Sequence, residues 1–91
     1  MKTYLVGYDL NRPHQDYPEL IRAIKQFPWW HYLDSTWIVK SNSKASEIRD
    51  NLAQHIDTND ELLVVSLTGE SAWTGFDATA SAWLHENIQP S

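Results

Sequence analysis

A chain of 91 residues, 42% hydrophobic and 21% charged, has the makeup of a single globular domain with a modest core. The absence of cysteine excludes a disulfide frame and any thiolate metal site, and no apolar run reaches the ~18 residues that a membrane-spanning helix needs. The net charge is −5 and all seven bases, scattered, precede residue 50, which argues against tight nonspecific binding to DNA or RNA while leaving room for a small local site.

Met1 leads directly into strand-like sequence, with no basic segment followed by an apolar run, so no signal peptide is expected and the cytoplasm is the expected compartment. Thr3 to Leu10 reads as a strand: Leu5 and Gly7 share the face of Asp9, while Tyr4, Val6, Tyr8 and Leu10 share the other. Its closing carboxylate, Asp9, reaches the lip of a central strand, where an exposed charge can meet a metal or a partner. Asn11-Arg12-Pro13 breaks the strand. Asp16 stands at an N-cap position with Pro18 in the first turn and Glu19 three residues on, a capping-box arrangement. Tyr17, Leu20, Ile21, Ile24 and Phe27 form one apolar helical stripe that Pro28 ends.

Trp29 to Leu33 and Ser35 to Lys40 are aromatic or β-branched and strand-prone. A tight turn near Leu33-Asp34-Ser35 would pair them as a hairpin. Without a glycine there, one long bent strand or a bulge is also open. Ser41-Asn42-Ser43 offers the next N-cap, and Ala45, Ile48, Leu52 and Ile56 line one side of a second helix. Asp57 to Asp60 is a turn cluster, and Glu61 to Leu67 is a strand. Thr68-Gly69-Glu70-Ser71 turns the chain, Ala72 to Phe76 is either a short extended piece or a loop, and Asp77 is placed to cap a last helix bearing Ala80, Trp83, Leu84 and Ile88 on one face.

Strand, helix, strand, strand, helix, strand is the split β-α-β order of a ferredoxin-like α+β sandwich. The whole chain, 1–91, is one such domain, with a core over 1–67 and an extension over 68–91 that adds a segment and a helix. Two helices cover one face of a four-stranded sheet in this topology. Yet Leu62 and Val64 face one way while Leu63, Val65 and Leu67 face the other, so both faces are apolar. Each large side chain buried is worth about 1.5–3 kcal/mol. The second face therefore requires a cover: the C-terminal segment with Trp73, Phe76, Trp83 and Leu84, a second copy of the chain, or both.

The opening Gly7-Tyr8-Asp9-Leu10-Asn11-Arg12-Pro13, the Asp34-Ser35-Thr36-Trp37 core and the Thr68-Gly69-Glu70 turn resemble the short bacterial proteins labelled SinR-like over almost the whole chain. Residues 1–67 also resemble, in topology and a few residues, the small CRISPR adaptation protein that accompanies the spacer integrase, and virulence-associated protein D. The resemblance implies a ferredoxin-like homodimer joined by sheet faces. It further implies that the acid ending the first strand lies near its symmetry mate as a divalent-metal (Mg²⁺ or Mn²⁺) nuclease site, with RNA a more expected substrate than DNA. By position that acid is Asp9, as both metal ligand and catalytic group, with Ser35 in the matching hairpin region. No organic cofactor is expected.

The chemistry of Asp9 suits this role, because Mg²⁺ keeps several waters and needs only one or two carboxylates beside a phosphate. Its plain role is to cap the turn at Asn11-Arg12 or to pair with Arg12. Arg12 could clamp a phosphate with its forked donors or neutralise Asp9 or Asp16. Asn11, beside it, and Thr36, like Ser35 a hydroxyl donor, complete the candidate substrate-binding group, against ordinary turn and strand roles. His14 lies near Asp9 and Asp16, and no histidines show a metal-binding helical spacing. Glu70 could approach Asp9 or simply follow a turn made by Gly69. Trp29, Trp30 and Trp37 could stack on bases, but without interleaved bases they are expected in the core or a dimer interface. The alternative to a nuclease is a non-catalytic dimeric module that binds a protein or nucleic acid, as in toxin–antitoxin or mobile-element defence systems.

Overall fold

A computed structural model describes residues 1–11 and 17–88. Strands β1 (Lys2–Asp9), β2 (Trp29–Leu33), β3 (Thr36–Ser41) and β4 (Glu61–Ser66) form one sheet in the order β2-β3-β1-β4, and every neighbouring pair is antiparallel. Helix α1 (Pro18–Ile24) joins β1 to β2, α2 (Ala45–Ala53) joins β3 to β4, and α3 (Ala78–Asn87) follows β4.

Helix α1 is shorter than its apolar stripe. After Ile24 the bonds from Gln26 N–H to Ala23 and from Phe27 N–H to Ile24 span three residues, so the helix tightens into a last turn before Pro28. Asp16, the expected cap, lies outside the described residues, as do Arg12, Pro13, His14 and Gln15. Among described residues the cap position falls on Tyr17, buried and in the left-handed region at φ 46. On α2 the side chain of Glu47 reaches back to accept from the Lys44 N–H at 2.8 Å, so the cap sits just past Ser43. On α3 the Asp77 carboxylate accepts from the Ala80 N–H at 2.8 Å, the expected N-cap.

β2 and β3 do form a hairpin, turning at Asp34-Ser35 with Leu33 opposite Thr36. Two-residue hairpin turns usually require positive φ, which matches the strand twist. Neither turn residue has it, since Tyr17 is the one described non-glycine residue at positive φ. The misfit is absorbed by a register shift between Trp30 and Leu33, so the hairpin and the bulge are both present.

The first core lies between the sheet and α1/α2, where Tyr4, Val6, Trp37 and Val39 pack against Leu20, Ile24, Ile48 and Leu52. The second lies on the opposite face, where Trp30 and Ile38 pack beneath Ala80 and Leu84 of α3, flanked by Trp73 and Phe76. Two polar ties hold α3 down: Trp30 Nε1 donates to the Ala80 carbonyl at 3.2 Å, and Thr3 Oγ1 donates to the Asn87 carbonyl at 2.8 Å. The chain's own extension thus covers β2, β3 and the first part of β1 on the second face. On β4 that face is left open, with Leu63 58% and Val65 41% exposed.

Candidate functional site

The antiparallel registers bring the ends of three strands together at one end of the sheet. Asp9, the last residue of β1, stands directly opposite Glu61, the first of β4. On its other side β1 meets the β2–β3 turn: the Tyr8 N–H donates to the Ser35 carbonyl at 3.1 Å, and Gly7 faces Thr36. Residues opposite one another on antiparallel strands project to the same face with Cβ atoms about 4.5–5.5 Å apart. Asp9 and Glu61 are therefore neighbouring exposed carboxylates, on the face that also carries Leu5, Leu63 and Val65. Neither side chain has a hydrogen bond or ion pair with a described residue, and Arg22 and Arg49 are engaged elsewhere with Glu19 and Asp50.

Two acids side by side without a countercharge favour a cation, and a hexahydrated-type ion such as Mg²⁺ is served by such a pair together with water and a phosphate. Among the described residues, no group of three or more His, Asp or Glu gathers around a common point. The two adjoining carboxylates at this lip are Asp9 and Glu61.

Of the residues expected beside Asp9, the structure brings Ser35 and Thr36 to the same end of the sheet. Thr36 shares the face of Asp9, whereas Ser35 occupies the register position of Tyr8, one step out of phase. Asn11 is turned to structural use. Its N–H donates to Asp60 Oδ1 at 2.8 Å and its side-chain amide donates to the Asn59 carbonyl, while Asp60 Oδ2 accepts from the Asp57 N–H at 2.8 Å. Arg12 and His14 lie outside the described residues. Glu70 is not at this end: the Leu67 N–H donates to the Thr3 carbonyl at 2.9 Å, so the chain leaves β4 beside the start of β1, far from Asp9, and turns at Gly69 with φ 112. That position needs a residue free to adopt positive φ.

The aromatic residues divide between the two cores and the edge. Trp37 is buried, its Nε1 donates to the Tyr8 hydroxyl at 3.0 Å, and His31 stacks on it at 3.6 Å between ring centroids. His31 also bonds the Asp34 carbonyl at 3.0 Å through Nε2. Trp30 packs edge-on to Phe76 under the extension. Trp29, at the edge of the sheet, is exposed and carries the Lys25 ammonium 5.2 Å above its ring. Between the sheet and the extension lies an apolar cavity of about 200 Å³, lined by Leu5, Trp30, Ile38, Trp73, Phe76 and Leu84 among others.

Glu61 is the residue that sequence reasoning missed. The signal was present: in the split β-α-β arrangement that the element order predicts, β1 lies between β3 and β4 and antiparallel to both, so the end of β1 must meet the start of β4. Among the described residues no helix is long and apolar enough to cross a membrane. No protein-family model matches the chain, and no solved structure matches it at a significant level.

Proposed function

We propose that this chain is a homodimeric ferredoxin-like module of the CRISPR adaptation small-subunit and SinR-like type, acting as a divalent-metal-dependent nuclease on RNA in preference to DNA. The fold part of this reading is supported by the strand order β2-β3-β1-β4 with all neighbours antiparallel and α1 and α2 on one face. The chemical part is carried by one observation, the opposition of Asp9 and Glu61 at the open end of the sheet without a countercharge among described residues. In this reading the two carboxylates of one chain hold Mg²⁺ or Mn²⁺, so the second carboxylate need not come from a symmetry mate. The ion would supply a hydroxide-like water and neutralise charge developing on the phosphodiester. In this reading Thr36, on the same face opposite Gly7, would donate to the bound phosphate.

The test is cleavage of labelled RNA and duplex DNA with Mg²⁺ or Mn²⁺ and with chelator, beside Asp9→Ala and Glu61→Ala. Loss of cleavage in chelator and in both variants supports the reading, and cleavage that persists in either variant rejects it. A second reading, a non-catalytic dimeric module binding a protein or nucleic acid, is favoured by the exposed Leu63 and Val65 and by the small ligand set. No cleavage of any substrate, with binding retained, selects it.

A further inference from the structure

We propose that a second copy of the chain docks along the outer edge of β4, the two β4 strands pairing antiparallel about a two-fold axis at Val64. Two four-stranded sheets would then join into one continuous sheet. The inference rests on the proposed function only for the chain being dimeric, since the acid pair is complete within one copy.

β4 is the last strand of the sheet, bonded to β1 on its inner side. In an antiparallel ladder, alternate residues direct both N–H and C=O to the same neighbour. Leu67 donates to Thr3, so Leu63 and Val65 share its phase and are turned to β1. Leu62, Val64 and Ser66 direct theirs outward, where no strand meets them. Proteins usually blunt such an edge with Lys, Pro or a bulge. Glu61–Ser66 contains no Lys or Pro, and its register with β1 runs unbroken from Tyr4↔Ser66 to Asp9↔Glu61. Leu62, Leu63 and Val64 make an open groove with Ala45, Ser46 and Arg49 of α2 along this edge.

Side chains and charge select a second copy as the occupant. Paired about Val64, Leu62 bonds Ser66 of the other copy and Val64 bonds its own mate, so every outward backbone group of the strand is used. Leu63 of each copy stands opposite Val65 of the other, on the face where both are now exposed. The strand's one charge, Glu61, falls opposite Leu67 of the other copy, which keeps the two glutamates about 20 Å apart. A parallel arrangement would set Glu61 beside Glu61. The strand is complementary to itself in the antiparallel sense alone.

The experiment is sedimentation equilibrium of the full chain from about 1 to about 200 µM, a range that suits the weak association expected of a small edge interface. A reversible dimer is expected. Val64→Pro removes an outward N–H and leaves the β1 ladder intact, so it should raise the dissociation constant at least about tenfold, as should Leu63→Lys/Val65→Lys. A monomer throughout the range overturns the proposal, as does a dimer lost in the lysine variant but unchanged in Val64→Pro, which would mean packing by faces. Should Val64→Pro fail to fold by circular dichroism, single cysteines decide, because the chain has none of its own. Val64→Cys places its sulfurs on Cα atoms about 5.5 Å apart across the axis, so mild oxidation should link it at least about ten times faster than Ser66→Cys. Equal rates overturn the proposal. Neither result depends on cleavage, so the nuclease reading stands or falls separately.

Discussion

The backbone N–H of Asn11 donates to the Asp60 carboxylate at 2.8 Å, across 49 positions of sequence. The same carboxylate accepts from the Asp57 N–H, so one side chain closes the turn after α2 and fastens the exit of β1 to it. Because β1 ends at Asp9 and β4 begins at Glu61, this clamp lies just beyond the acid pair that strand pairing sets. Asp60→Ala removes two charge-assisted bonds at a partly exposed site and should cost about 1–2 kcal/mol. Thermal unfolding checks this, with a fall of roughly 5–15 °C expected for a domain of this size. An unchanged midpoint would mean the clamp contributes nothing.

Asp9 and Glu61 repel each other in the absence of a cation. Asp9→Asn or Glu61→Gln should therefore stabilise the chelator-treated protein by a few tenths of a kcal/mol. With the cation at about ten times its dissociation constant, binding adds about 1.4 kcal/mol to the unaltered protein, or roughly 5–10 °C in midpoint. Both variants should lose that increment. A Mg²⁺ or Mn²⁺ increment that survives in both variants would place the ion elsewhere.

The Tyr8 hydroxyl accepts the indole N–H of Trp37, whose ring is among the largest fully buried side chains. Tyr8→Phe removes that acceptor while preserving the ring, and strands a buried donor. The expected cost is about 1–2 kcal/mol, measurable by urea unfolding at unchanged m-value. Trp37→Phe discards the donor too, and its cost reflects the lost volume instead.

Much of this fold was legible because periodicity and punctuation agree. Ala45, Ile48 and Leu52 of α2 pack against the first core, and Ala80 and Leu84 are buried in the second, as their helical spacing requires, whereas Ile56 reaches the first core from the turn beyond Ala53, where α2 ends. The two-sided apolarity of Leu62 to Leu67 predicts a cover over the second face, but the extension reaches only Leu67 of that set, and Leu63 and Val65 stay exposed. What stayed hidden was set by register. Strand pairing alone places Glu61 against Asp9 and sends Glu70 to the far end. Asn11 looked like a ligand-facing residue after a strand, because nothing local to it reveals a bond to a turn 49 positions on. Arg12 and His14 lie outside the described residues.

The extension over 68–91 is the remaining test of how the second face is stabilised. Leu84 is 3% exposed and packs on Trp30 and Ile38. Leu84→Ala creates a cavity beside one of about 200 Å³ already present, so neighbouring side chains have little support from which to close over it. A cost of about 2–4 kcal/mol follows, in the range of buried leucine truncations. Removing residues 68–91 outright strips Trp30 and Ile38 of their cover and leaves the Trp30 indole N–H without the Ala80 carbonyl. Chain 1–67 should bind a hydrophobic dye and self-associate at concentrations where the full chain does not aggregate, because apolar patches of this kind drive association. Sedimentation velocity and dye fluorescence on the two chains measure it. A stable, dye-silent 1–67 would show that the β1 to β4 unit needs neither α3 nor Leu84, and that the second core is an attachment rather than a support of the fold.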